Sequence, residues 1–507
     1  MSDNFNKNRI FKNTILLYVR MLFTMWLNLY TTRLVLANLG VDDMGVYGVV
    51  GSLTSMFTVF TNGITDSIQR FITFELGKKD GNTNNVFCTS INLLFIVSIA
   101  LAILLETAGI WILNNKINIP EDSMDAAFWV YQFSIFACLV NIISIPYNAL
   151  IIAHEKMNAF AAISIIQVIL TCASAYSLSF FNDNKLFVYA LLTAIVGVLI
   201  RIIYQIYCHY KFSEAKYKFL IDRQLIKDIG KYASISTISS VLHLIAYQGI
   251  TFVINWTFGV TLNAVYNIAM QLKNSTLSFS LNLLKAISPQ ITKTYASGEI
   301  EVHKNLVYTG SKLETFLILF IMIPFLFKTE YIMNLWLGEV PEYTIAFVKA
   351  IIFISLIYSA FEPIRTAVLT TGRITKFMII PNGFYLLVLP IGYAIGKLSE
   401  NPTFMIVSIT LMETITCILR IYFASKVTTL QIKEITKKIV FPAFMVAVFS
   451  CAICYLLCII CSNDLFGLCI ILFTNSLSLI GIIYLIGLSN KERNTVNNIF
   501  SKILNKK

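Results

Sequence analysis

The sequence predicts an all-α polytopic membrane protein of about fourteen transmembrane helices, arranged as two six-helix lobes plus a C-terminal helical hairpin. Three observations lead there. Of 507 residues, 57% are hydrophobic and 13% charged, with mean hydropathy +0.73, whereas soluble chains run at about 45–50% apolar and about 25% charged. The apolar excess is gathered into runs of about 20 residues, the length that crosses a bilayer as a helix. Basic residues alternate from loop to loop. A large soluble enzyme is excluded. An outer-membrane barrel is excluded too, because it would show alternating segments of about ten residues.

Taken in order, the spans fall at 12–36, 44–68, 86–113, 126–151, 158–181, 186–209, 231–256, 262–287, 309–332, 344–369, 377–397, 403–425, 439–461 and 465–488. The first two are the least apolar. The longest internal polar stretch, 210–230, is expected to form an amphipathic surface helix joining two halves. This divides the chain into an N-terminal lobe (1–211), a cytoplasmic linker (212–230), a C-terminal lobe (231–430), helices 13 and 14 (431–488) and a cytoplasmic tail (489–507).

Net charge is +12, from 39 basic and 27 acidic residues. A nucleic-acid partner is not expected, because the bases sit in short loops, where they set membrane orientation. One set of loops holds Lys78, Lys79, Lys156, Lys211, Lys216, Lys218, Arg223, Lys227, Lys293, Lys304, Arg373, Lys376, Lys433, Lys437 and Lys438. Both ends of the chain belong to this set, with Lys7, Arg9 and Lys12 at one and Lys491, Arg493, Lys502, Lys506 and Lys507 at the other. The alternate loops hold mainly Lys116, Lys185, Lys328 and Lys397, with the acids Asp42, Asp43, Glu121, Asp122, Glu339 and Glu342. Both termini are therefore expected in the cytoplasm, which requires an even number of spans. No cleavable signal peptide is expected, since polar Ser2 to Asn8 lead into a run too long for one, without an A-x-A site. All ten cysteines fall within or at the ends of apolar runs, so they read as small hydrophobes rather than as a disulfide framework.

An internal repeat supports the two lobes. Gly40-Val41-Asp42-Asp43-Met44-Gly45-Val46-Tyr47 matches Gly259-Val260-Thr261-Leu262-Asn263-Ala264-Val265-Tyr266 at a shift of 219, and Pro146 and Lys156 match Pro363 and Arg373 at 217. A repeat of that length holds six spans. Six is even, so the halves share an orientation and the symmetry axis is expected along the membrane normal. Helices 13 and 14 fall outside it.

With the stretch Thr32 to Leu53, the six-plus-six repeat and the added hairpin, the chain resembles the polysaccharide-exporter branch of the multidrug/oligosaccharidyl-lipid/polysaccharide superfamily, which includes Wzx-type flippases. The resemblance covers nearly the whole chain. It implies two lobes around a central cavity that opens alternately to the two sides. In the flippases it resembles, helices 1 and 8 line that cavity and carry basic residues.

Charges inside spans are costly, so each is a functional candidate. The cations are Arg20, Arg33, Arg201, Lys273, Lys285, Lys349, Arg365 and Arg420, and the acids are Asp66, Glu106, Glu314, Glu362 and Glu413. The excess of cations suits an anionic substrate, and Arg offers a planar fork to a pyrophosphate. Arg33, Lys285, Arg365 and Arg420 lie near span ends, where snorkelling to the interface accounts for them. Glu362 and Arg365, three apart, neutralise one another. The substrate-binding candidates are thus Arg20, Lys273, Arg201 and Lys349; the first two match the basic positions of helices 1 and 8 that the resemblance implies. Asp66, Glu314 and Glu413 are candidates for proton or sodium coupling, against which stands simple pairing with an intramembrane cation. His243 titrates near neutrality when free, but a lone His among Leu and Ile more often bonds a neighbour.

Cys451, Cys454, Cys458 and Cys461 share one stripe of helix 13. Along it the first and last differ by about 15 Å in rise, too far for tetrahedral bonds of about 2.3 Å. Helix packing is the better account, and neither metal nor cofactor is expected. No P-loop, HExxH or GxSxG motif stands out.

The expected function is a flippase moving polyprenyl-pyrophosphate-linked oligosaccharide across the bacterial cytoplasmic (inner) membrane for O-antigen or capsule synthesis, by alternating access. The hairpin is expected to offer the lipid tail a place outside the cavity. Partners would be membrane lipids, a polysaccharide polymerase and glycosyltransferases. A multidrug extruder of the same superfamily is the first alternative; the hairpin and basic residues argue against it. A membrane enzyme such as a polymerase is the second, and the short outer loops argue against that.

Overall fold

The computed structural model describes residues 2–55, 58–116, 124–462, 464–490, 492–494 and 497. The expected loop acids Glu121 and Asp122 and the tail cations Lys491, Lys502, Lys506 and Lys507 lie outside them. The described residues contain helices and turns and no strand. Backbone groups are thereby satisfied within each segment, as lipid requires. Eleven helices among them are long and apolar enough to cross a membrane. The other three expected spans, 12–36, 44–68 and 262–287, are also helical where described; they carry too many polar residues to stand out by composition. By contact the chain forms two compact units, Asn13–Ser240 and Val241–Lys507 with Met1–Lys12.

In the first unit, α1 (Ser2–Ser55) is broken at Gly40, where φ is 79° and ψ 180°. Only glycine occupies that region without strain. An added Cβ there would meet nothing within 4 Å, so the dihedral and not the space demands glycine. After α2 (Thr58–Gly77), α3 (Thr83–Leu104) runs through a π turn at Leu105–Gly109 into α4 (Ile110–Lys116). The buried Tyr131 hydroxyl donates to the Leu105 carbonyl at 2.8 Å, giving the widened turn a second donor. A Cβ on Gly109 would overlap that hydroxyl, so this glycine is required by close approach. Tyr131 lies on α5 (Met124–Ala153), which contains Pro146 and turns at Glu155 (φ 56°) into α6 (Met157–Ser177). The helix α7 (Lys185–Lys211) closes the unit against α5 and α6. Leu39, Val46, Leu105, Ile135 and Tyr189 meet in its core.

The surface helix expected over 210–230 is corrected by the structure. Ser213–Ala215 is a 3-10 turn, 216–222 has no regular structure, and α8 (Arg223–Phe258) begins only afterwards. The cause is a ladder of polar side chains on one face of α3. Asn84, Cys88 and Asn92, four residues apart, take over the hydrogen bonds a helix would have made for itself. Asn84 Nδ2 donates to the carbonyls of Glu214 and Lys216 at 2.7 and 2.8 Å. The Lys218 amide donates to Cys88 Sγ at 3.3 Å, and Asn92 Nδ2 donates to the Leu220 carbonyl at 2.8 Å. Tyr217 returns a bond to Asn92 Oδ1 at 2.7 Å. The segment is a strap laid along α3. Cys88 acts here as a polar partner, beyond its expected role as a small hydrophobe.

The second unit runs from the latter part of α8 through α9 (Val260–Ala296), α10 (Ile300–Phe327), α11 (Thr329–Leu337) and α12 (Thr344–Thr371). Gly259, between α8 and α9, has φ 85° and ψ −174°, nearly the dihedrals of Gly40. Gly372 (φ 75°), which ends α12 beyond Pro363, stands where Glu155 ends α5 beyond Pro146. The sequence repeat is thus a repeat of special backbone conformations. The expected span 377–397 is interrupted, giving α13 (Thr375–Tyr385) and α14 (Val388–Leu398). Pro390 cannot donate to the Leu386 carbonyl, which instead takes the Leu389 amide at 3.1 Å.

The unit closes with α15 (Pro402–Val427), the short α16 (Ile432–Ile435), a π turn at Thr436–Val440, α17 (Phe441–Ile460) and α18 (Leu465–Ile482). Both ends of the α17–α18 hairpin are tied to one stretch of α10. Tyr308 donates to Glu434 at 2.8 Å at the entry. At the exit Thr309 and Lys312 donate to Glu492 at 3.0 and 2.5 Å. The cysteine stripe packs as expected, with Cys454 buried in the core of this unit and Cys451, Cys458 and Cys461 against it. All ten cysteines are free thiols, and the described residues hold no metal-ligating group of three or more His, Cys, Asp or Glu.

Candidate functional site

Each unit gathers intramembrane cations onto aromatic rings. In the first, Arg201 on α7 lies over the Tyr147 ring of α5, 4.1 Å from its centre. Arg201 makes no ion pair among the described residues, and its buried Nη1 has no hydrogen-bond partner. Arg20 on α1 lies 5.0 Å over Phe160 of α6 and donates to Ser164 Oγ at 3.4 Å. Tyr204, one turn beyond Arg201 on α7, lies near Arg20. Arg20 and Arg201 therefore belong to one aromatic-lined neighbourhood of α1, α5, α6 and α7. Such contacts replace part of the hydration a guanidinium loses on leaving water, each contributing about 2 kcal/mol when desolvated.

In the second unit two cations share one ring. Lys273 Nζ on α9 is 5.3 Å from the centre of Tyr358 on α12, and Arg420 Cζ on α15 is 5.5 Å from it. Arg420 is further held by Glu413 (3.5 Å) and by Asn382 Oδ1 (2.8 Å). Lys273 has no ion pair among the described residues. It borders a small cavity lined also by His243, Tyr247, Tyr266, Tyr385, Met270 and three isoleucines. The His243 and Tyr385 rings stack with centres 6.4 Å apart, a ring contact in place of the hydrogen bond expected from the sequence.

The remaining candidates separate. Lys349 is exposed near the start of α12 and has no ion pair among the described residues. Arg33 and Lys285 are exposed, and Arg365 pairs with Glu362 at 3.3 Å, the pairing read from their spacing in the sequence. Arg420 departs from that reading. Its side chain is 12% exposed and engaged on three sides, so it does not snorkel. Among the acids, Glu413 pairs with Arg420, and Asp66 is half-buried on α2. Glu106 lies in the π turn and accepts from Gln132 at 3.1 Å. Glu314 on α10 is fully buried and bonded to Ser280 of α9 at 2.5 Å. Sequence reasoning missed Tyr147, Phe160, Tyr358 and Asn382. Only Tyr147 carried a signal, next to the repeated Pro146.

The fold and these clusters define a polytopic membrane protein with basic, aromatic-lined neighbourhoods in both units. The chain belongs to the polysaccharide biosynthesis protein family, whose model matches residues 10–295. No curated protein matches the chain. Its fold is that of transporters of the MOP superfamily. A structure of MATE in the straight conformation superposes with TM-score 0.68 at 14% identity, covering 83% of this chain and 96% of that one. A multidrug resistance MATE family transporter of the MOP superfamily, in an outward-facing conformation, gives 0.67 at 13%, covering 83% and 95%. A MOP superfamily transporter from Pyrococcus furiosus, described as having a binding pocket of reverse polarity, gives 0.64 at 14%, covering 83% and 95%.

Proposed function

We propose that the chain is a flippase for polyprenyl-pyrophosphate-linked oligosaccharide, working by alternating access in the bacterial cytoplasmic membrane and serving O-antigen or capsule synthesis. One observation carries the reading. Arg201 and Lys273, one in each unit, sit within spans against tyrosine rings and have no ion pair among the described residues. An anionic headgroup supplies the missing charge. Arg20, Arg201, Lys273 and Lys349 are its substrate-binding residues, and the guanidinium forks of the two arginines suit a pyrophosphate. Asp66, Glu314 and Glu413 serve ion coupling. The polymerase and glycosyltransferases that make and consume the substrate are its partners. Membership of a polysaccharide biosynthesis family supports this over drug extrusion.

The test is surface polysaccharide in a strain lacking its own flippase, with protein level measured alongside. Arg20→Ala and Lys273→Ala should each abolish rescue while the protein still accumulates, Arg20→Lys should be partly active, and Arg33→Ala should do less. Full rescue by both alanine variants overturns the reading. The orientation, with both termini cytoplasmic, is checked by labelling single cysteines from outside. Positions 118 and 342 should react and positions 79 and 431 should not.

A further inference from the structure

We propose that Glu314 and Ser280 form a proton-binding site of the second unit, with Glu314 carrying its proton in the conformation described here and yielding it when the site meets water. Among the described residues, three buried carboxyl groups lie within the spans of this unit. Glu413 has Arg420 at 3.5 Å and Glu362 has Arg365 at 3.3 Å. Glu314 has no basic partner among the described residues. It lies midway along α10, with no exposed surface. Its Oε2 is 2.5 Å from Ser280 Oγ, and its buried Oε1 has no hydrogen-bond partner. An ionised carboxylate so placed would be a desolvated, uncompensated charge, which proteins avoid by neutralising the group. A neutral carboxylic acid needs only the serine.

The surroundings agree. Of the helices packed on α10, α12 carries Lys349 with the Glu362–Arg365 pair, and α9 carries Lys273, Lys285 and Lys293, none of them ion-paired with Glu314 among the described residues. Lys312, on the same helix, is committed to Glu492. The facing helices α17 and α18 carry no charged residue. A sodium ion, like other hard cations, takes a shell of oxygen ligands. Here the side-chain oxygens brought together are those of Glu314 and Ser280, while the helix carbonyls are bonded along their own helices. A proton needs no shell. A Cβ added at Gly310, one turn before Glu314, would come into ordinary contact with Pro363, so α10 and α12 pack closely at this level.

The site rests on the transport reading for its purpose and on geometry alone for its chemistry, so two measurements separate them. In the first, the full chain in lipid vesicles is examined by infrared difference spectroscopy against Glu314→Gln. A protonated-carboxyl band at neutral pH, absent in Glu314→Gln and displaced in Ser280→Ala, is expected. A spectrum without that difference overturns the proposal whatever the substrate proves to be. In the second, Glu314→Gln, an imitation of the neutral acid, should insert and accumulate but lose at least tenfold in surface polysaccharide, with Glu314→Asp keeping part. Full rescue by Glu314→Gln overturns the coupling role even if the band is found.

Discussion

Glu413 and Arg420 pair at 3.5 Å across two turns of a single helix, α15, with side chains only 3% and 12% exposed. The pair fixes the guanidinium against Tyr358, which in turn presents its ring to Lys273. Arg420 is thus neutralised within its own helix, and the net positive charge of the cluster resides on Lys273.

Breaking that pair from one side leaves a buried cation. Glu413→Gln is expected to lower stability by about 3–5 kcal/mol, read as the melting temperature of the detergent-purified protein. Glu413→Gln combined with Arg420→Met should recover most of the loss. If the double variant melts as low as the single one, the pair is not what holds this junction.

Tyr358 tests ring against hydroxyl. Tyr358→Phe keeps the π face and should leave stability and surface polysaccharide close to wild type. Tyr358→Leu removes a face shared by two cations and should cost about 1–4 kcal/mol along with transport. Equal losses from the two substitutions would assign the role to the hydroxyl.

Gly40 and Gly259 share a conformation that other residues adopt only under strain. Each Gly→Ala change should therefore destabilise by about 1–3 kcal/mol, and by similar amounts at the two sites. Gly197→Ala, inside α7 at ordinary dihedrals and with open space around its Cβ, should be neutral or slightly stabilising. Thermal unfolding of the three variants decides it.

The strap can be released from one helix face. Asn84→Leu or Asn92→Leu removes donors that hold the carbonyls of Glu214, Lys216 and Leu220, and should raise hydrogen exchange over 214–222 while leaving α3 protected.

Asp222, at the end of the strap, adds a pH dependence. The Leu225 amide and then the Asn85 side chain donate to its carboxylate and hold its pKa below the ordinary value. Its contribution is therefore complete above about pH 4, the usual carboxylate range, and fades as acid protonates it through the lower folded value. A spin label at position 218 should stay immobile from neutral pH down to that range and loosen below it. Asp222→Asn should blunt the transition.

The helices were legible because lipid imposes one length and one composition on each span. Every expected span meets a helix, and the paired glycines of the repeat took matching dihedrals. What failed to show was non-local. Nothing in Lys216 to Ile221 announces that asparagines 128 or more residues earlier on α3 will claim its backbone, so an amphipathic helix was the natural expectation. The charged candidates announced themselves, because an intramembrane charge is rare; their aromatic partners did not, because Tyr and Phe are common in any span. Arg420 looked interfacial by position alone, and only Glu413, Asn382 and Tyr358 together account for its burial.

The anchoring of Glu434 and Glu492 to Tyr308, Thr309 and Lys312 has a practical use. Because the hairpin is fastened at both its feet to a single stretch of α10, the separation between labels placed on α10 and at the start of α17 is a built-in ruler. It should read one narrow distance at every stage of a working cycle, and so calibrate any other pair of positions whose spacing changes.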